Sequence, residues 1–177
     1  MVQYESMKQE FKFIHHAFVR ACDTALHLLQ KGADFAHEKG NEQELLNAKL
    51  ADDMFTFTRQ IQVFTDNVAG IVARVGGLEK ISLPDTETTF TELIARVQKT
   101  KDFIKNINPN EVEGIEERKI KLPWMQPGAY FEARDYLEKF AMQNVFFHLI
   151  TAYGILRQNG VQIGKFDFIG SIDFKNE

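Results

Sequence analysis

One cysteine, Cys22, among 177 residues leaves no partner for an intramolecular disulfide and no cysteine-built zinc site. That is compatible with a reducing compartment. Tryptophan is nearly absent too: one stands against sixteen phenylalanines, which suits a dry packed interior rather than an exposed aromatic platform. Charge of one sign is not in excess. The net charge is −4 with acidic and basic residues interspersed, so the chain has no basic footprint for nucleic acid. No apolar run reaches the roughly 20 residues that span a bilayer. The opening Met1-Val-Gln-Tyr-Glu-Ser6 lacks the basic-then-apolar pattern of a signal peptide. These absences lead us to expect a cytoplasmic protein with neither nucleic-acid nor membrane partners. Also missing are a glycine-rich phosphate loop, a serine nucleophile elbow and a His-Glu-x-x-His metal motif.

What is present is helical periodicity. A chain of this length suits one domain, 1–177, with a substantial core. From Met7 to about Lys39, apolar residues recur at Phe11, Ile14, Phe18, Cys22, Ala25, Leu29 and Ala36, and Gly40-Asn41 is a stop. A short apolar piece, 44–50, leads to Asp52-Asp53, placed where an N-cap is wanted ahead of Met54-Phe55. The second long helix buries Phe57, Ile61, Phe64, Val68, Ile71 and Val75, and Gly76-Gly77 ends it. Thr89-Phe-Thr-Glu92 is a capping box opening a third helix that Asn108-Pro109 stops. Between 118 and 132 the charged and apolar residues alternate around Pro127-Gly128, predicting a small β-hairpin. The fourth helix runs from about Arg134 to Asn159, closed by Gly160, and an irregular tail carrying Phe166, Phe168 and Ile169 packs on the bundle. The expected architecture is all-α: a four-helix bundle whose long crossover, with the hairpin, separates helices three and four.

Chemistry concentrates on the fourth helix. Asn144 and His148 lie four residues apart, on the face shared with Leu137, Ala141, Val145, Thr151, Ala152 and Ile155. Burial among Phe146, Phe147, Leu149 and Ile150 favours a neutral imidazole, able to ligate a metal or act as a base. The more ordinary reading is a core histidine bonded to a neighbouring side chain. On the second helix Asp53, Gln60 and Asn67 are spaced by seven, a polar stripe among apolar neighbours. Buried amides need partners, and Asn144 and His148 are the obvious ones. These residues, with Tyr153, outline a pocket or a polar layer that sets helix register. Asp66 with Arg59 and Gln62 reads as a solvated or crossover-facing edge. His15 and Cys22 lie two turns apart on the first helix, so a His15/Cys22/His148 ligand set can be drawn, although Cys22 also reads as simple core. His16, His27 and His37 are expected to face water.

Asn144-Val-Phe-Phe-His148 followed by Leu156-Arg-Gln-Asn-Gly160 resembles the last-helix pattern of the DinB/YfiT-like superfamily, metalloenzymes on a four-helix bundle. Further stretches resemble the branch of that superfamily known as a domain of unknown function. They are Leu50-Ala-Asp-Asp-Met-Phe55, Arg59-Gln60 through Asn67, Asp85-Thr-Glu-Thr-Thr-Phe90, Arg134-Asp-Tyr-Leu137 and Gly164-Lys-Phe-Asp-Phe168. The resemblance implies the bundle fold, and it places two of the superfamily's three metal-binding histidines on Asn144 and His148. The third falls on the second helix near Gln60, where no histidine exists. Superfamily members with all three bind a divalent metal, and some transfer low-molecular-weight thiols. Here the implied site is degenerate, because asparagine and glutamine are weak neutral ligands for zinc or nickel.

Two functions follow from these residues. In the first, the bundle has lost its metal and works without a cofactor as a small-molecule-binding or interaction protein. In the second, it is a thiol S-transferase or hydrolase in which His148, with Asn144 and a carboxylate or amide from the second helix, holds a weakly bound divalent metal such as zinc or nickel, or acts alone as a base. The fourth helix is apolar on several sides from Val145 to Leu156, so the tail or a second subunit must cover it, and we expect a homodimer.

Overall fold

Four long helices dominate the computed structural model, which describes residues 7–172. They are α1 (Met7–Lys39), α3 (Phe57–Gly76), α4 (Phe90–Lys105) and α6 (Met142–Gln158), with the short α2 (Glu42–Asn47) after α1. Each long helix packs against two others in the cyclic order α1, α4, α3, α6, which makes a four-helix bundle. Among the described residues no helix is long and apolar enough to cross a membrane.

The α1 face predicted from spacing is the buried one, from Phe11 through Phe18, Cys22 and Leu29 to Ala36. Gly32 makes room on α1 for two neighbouring side chains. A Cβ there would lie 2.7 Å from Cε1 of Phe90 and 3.2 Å from a Leu156 methyl. The mid-helix glycine, a residue of poor helix propensity, is explained by that approach.

The second long helix starts later than expected. An isolated bridge between Lys49 and Thr56, and a 2.8 Å bond from the Phe57 amide to the Ala48 carbonyl, hold 50–55 as a loop. Thr56, not Asp52 or Asp53, is the N-cap, its hydroxyl accepting from the Arg59 amide at 3.3 Å. The acidic pair stays solvated at the tip of that loop.

At its other end α3 closes on Gly77 in the left-handed conformation, φ +67°, with the Leu78 amide reaching back to the Ala73 carbonyl. The Arg118 guanidinium lies over this glycine, so close that a Cβ would fall 1.6 Å from Nη1. The capping box of Thr89 and Glu92 forms as predicted, and hydrogen bonds from Thr88 lead in holding the Glu92 carboxyl below the usual range.

The crossover carries the predicted hairpin. β1 (Lys119–Ile120) pairs antiparallel with β2 (Phe131–Glu132), Lys119 opposite Glu132 and Ile120 opposite Phe131. The chain then enters α5 (Ala133–Tyr136), a π-helical turn (Leu137–Ala141) and α6, so the single expected helix contains one widened turn. That turn sets Phe140 and Tyr136 in one cluster, rings 5.9 Å apart, with Phe131 and Trp124 beside Phe140.

The tail is not irregular throughout, because Lys165–Ile169 forms α7. Polar bonds pin α7 to α1. Thr24 donates to the Phe168 carbonyl, Arg20 to the carbonyls of Ile169 and Ser171, and His27 lies 2.7 Å from Asp167. Here Tyr153 of α6 meets Phe168 edge to face, and the tail covers one flank of that helix.

Candidate functional site

Gln60 and His148 find each other at the α3–α6 seam. The two are 1% and 7% exposed, and His148 Nδ1 lies 2.7 Å from Gln60 Oε1. The other end of the amide faces the Phe55 carbonyl at 3.4 Å. That carbonyl can only accept, so the NH2 of Gln60 must point at it and Oε1 at the imidazole. Oε1 in turn can only accept, which puts the histidine proton on Nδ1 and leaves the lone pair on Nε2. Nε2 has no hydrogen-bond partner among the described residues and is not sealed from solvent. Burial first, and then the Arg59 charge, hold the imidazole below its ordinary pKa, so it stays neutral near pH 7.

Aromatic rings flank the imidazole. Phe55 stacks on the imidazole with centroids 6.4 Å apart, and Phe147 meets it edge-on at 5.4 Å. The Arg59 guanidinium sits 5.8 Å over the Phe55 ring. The arrangement can accept one hydrogen bond from a bound group, or hold one weak coordinate bond, beside an apolar wall.

The other predicted members do not join it equally. Asn144 is half-buried on the same helix face, and its amide makes no hydrogen bond among the described residues. Asn67 is half-buried with Nδ2 shut from water and unpartnered. Asp53 is exposed in the 50–55 loop, outside the buried layer, because Thr56 takes the capping role that would have drawn the carboxylate onto α3. Tyr153 is half-buried and turned toward Phe168 of the tail. The polar layer therefore reduces to the Gln60–His148 pair.

The His15/Cys22/His148 set is not assembled: among the described residues no three His, Cys, Asp or Glu side chains converge to hold a metal. His15 instead donates from Nε2 to the Ile104 carbonyl at 2.7 Å, with Nδ1 buried and unpaired, and burial lowers its pKa. Cys22 is fully buried core, where desolvation above all pushes the thiol up to about 12. His16, His27 and His37 are exposed, as expected. A cleft of about 770 Å³ lies between the end of α1, α2 and the start of α4, and contains none of the predicted site residues.

Sequence reasoning missed a buried charge. Arg96, its side chain 2% exposed, reaches Asp85 at 2.9 Å, Glu87 at 3.0 Å and Asp66 at 3.5 Å. It also donates to Thr65 Oγ1 and the Pro84 carbonyl. Arg59 pairs with the same Asp85 and with Gln62, and Gln62 donates to Glu87. The expected solvated edge of Asp66, Arg59 and Gln62 is thus clamped under the α3–α4 connector, and the clamp holds Arg59 beside Phe55. The available signal was an arginine on the apolar face of α4, three residues from Leu93 and one from Val97, which must find anions or leave the face.

A family model described as a domain of unknown function (DUF1993) matches residues 11–169. A DinB family member protein from Shewanella denitrificans, known by its crystal structure, is 29% identical; the alignment covers 96% of this chain and 99% of that one, with a TM-score of 0.88. No curated protein matches the chain.

Proposed function

Since the chain belongs to the DUF1993 family and is built like a DinB protein, we propose that it is a bundle whose metal site is degenerate and which works as a small-molecule-binding or interaction protein. On this reading it needs no metal, functions as a homodimer, and resides in the cytoplasm, where the lone buried Cys22 stays reduced. The observation that carries the reading is the Gln60–His148 bond. His148 Nδ1 and the Gln60 oxygen satisfy one another at 2.7 Å, and among the described residues no group of three or more His, Cys, Asp or Glu side chains is placed to hold a metal. One neutral imidazole with amide neighbours is a poor donor set for zinc or nickel.

A ligand suited to the site offers one hydrogen-bond donor to Nε2 and an apolar or aromatic body to Phe55 and Phe147. Arg59 favours a neutral or anionic group over a cation.

One observation favours the second reading. The unpaired Nε2 of a neutral histidine, buried but not sealed from solvent, is what a general base or a single metal ligand requires. Metal content and titration with Zn²⁺ and Ni²⁺ on purified, tag-free protein, with His148→Ala as control, separate the two. We expect no stoichiometric uptake. One tightly held ion per chain, lost in His148→Ala, would overturn the first reading and direct attention to thiol S-transfer or hydrolysis.

A further inference from the structure

The α6 helix carries a second apolar seam, distinct from the one it buries in the bundle. Its inner face holds Val145, His148, Leu149, Ala152, Ile155 and Leu156. On the outer side Gln143, Phe147, Ile150, Gly154 and Arg157 recur at intervals of four, three, four and three, and all but the half-buried Gly154 are exposed. That is the spacing by which one helix packs along another, yet α7 covers a different flank. Phe147 and Ile150 are 52% and 53% exposed, and the 50–55 loop widens the patch with Phe55 at 51% and Leu50 at 42%. The patch is continuous: Leu50 lies against Gly154, and the Phe55 and Phe147 rings both rest on His148.

Resting on the homodimer reading above, we propose that this seam is where a second copy of the chain docks, α6 against α6 in antiparallel, two-fold fashion. Such a pairing sets Phe147 of each copy against Ile150 of the other, an apolar centre of four side chains across the axis. The seam matches itself in polarity as well as shape. Its ends are polar, at Gln143 and Arg157, and Leu50, seated against Gly154, extends the apolar surface beside Ile150. Around it stand Asp52 and Asp53 with Lys49, Arg59 and Arg157, charges of both signs, so acidic groups of one copy can meet basic groups of the other.

The area is adequate. Half of each of two phenylalanine rings amounts to roughly 200 Å², and Leu50 and Ile150 bring the apolar centre to about 350 Å² per copy, within the range of functional patches. Since about 57% of a usual interface is apolar, the whole contact comes to roughly 600 Å² per copy, the lower end of stable interfaces. The Gln60–His148 site lies beneath the contact: the exposed Phe55 and Phe147 rings that flank the imidazole both belong to the seam, so a copy docked there covers the approach to His148.

Sedimentation velocity from micromolar to near-millimolar protein tests this. The wild type should run at twice 20.4 kDa. Ile150→Glu and Phe147→Glu, at exposed positions, should give folded monomers with unchanged circular dichroism. Phe13→Glu, at another exposed apolar site 70% accessible, should leave the dimer intact. Diethyl pyrocarbonate, read at His148 by mass spectrometry, should modify the Ile150→Glu monomer several-fold faster than the wild type. A dimer that survives both seam substitutions overturns the docking mode while leaving the homodimer reading standing. A wild type monomeric at every concentration overturns both, and equal His148 modification rates overturn closure of the site by the second copy.

Discussion

Replacing Gln60 by leucine tests the central pair directly. The substitution keeps roughly the same volume in a position 1% exposed, but removes the acceptor of the His148 Nδ1 proton. A buried N–H left without a partner costs about 1–3 kcal/mol. Two features of the structure place the expected loss near the middle of that range. His148 is itself 7% exposed, so water does not readily replace the lost oxygen. The second amide bond, to the Phe55 carbonyl, is long at 3.4 Å and sits in a loop where solvent can take over. A loss of about 2 kcal/mol in a protein of this length lowers the melting temperature by roughly 4–8 °C, and urea unfolding should show the same loss with an unchanged slope. His148→Leu strands the Gln60 oxygen and should cost a similar amount. The double variant removes both polar groups and should be more stable than the sum of the singles implies by about 1–2 kcal/mol. In nitrogen-15 spectra the wild-type imidazole should carry its proton on Nδ1, with Nε2 bare. Additivity of the two substitutions within about 0.5 kcal/mol, or an Nε2-protonated tautomer, would refute the reasoning.

Arg96→Met removes the buried cation from Asp66, Asp85 and Glu87, and breaking such a pair costs about 3–5 kcal/mol. Because Asp66 and Asp85 are about a third exposed and can rehydrate, the lower figure is expected in chemical denaturation, with Glu87→Gln recovering part of it. Burial holds both His15 and His148 below the ordinary imidazole value, so the unfolded chain binds protons first. Stability should therefore be full above about pH 6.5 and fall as the pH drops below it, and the His15→Gln/His148→Gln variant should flatten that decline in urea titrations. Cys22, fully buried with its thiol raised to about 12, should resist a thiol reagent in the native protein and react fully in denaturant. Gly77→Ala forces a side chain into a left-handed residue and against Arg118, and a loss of about 1–2 kcal/mol is expected by thermal unfolding.

The bundle was present in the one-dimensional pattern because helices obey local rules. Apolar spacing on α1 and α3, the capping box at Thr89, the glycine stops at Gly77 and Gly160 and the alternation around Pro127-Gly128 all act over a few residues, and each reappears in the structure. The pairing of a polar position on α3 with His148 also followed from periodicity, since facing buried amides and imidazoles must satisfy one another. Tertiary structure decided what local rules could not reach. The Lys49–Thr56 bridge, not helix propensity, moved the start of α3 and left Asp53 in water. The Phe55 carbonyl chose the amide orientation of Gln60 and through it the tautomer of His148. Arg96 met carboxylates supplied by α3 and by the connector that follows it, 9 to 30 positions earlier in the chain, and α7 chose which flank of α6 to cover. The bridge and the Phe55 carbonyl act over five to seven residues but outside any helix repeat, and the Gln60–His148, Arg96 and α7 contacts join parts of the chain that no single helix contains. Spacing within a single helix determines only which way a side chain faces, not what it meets there.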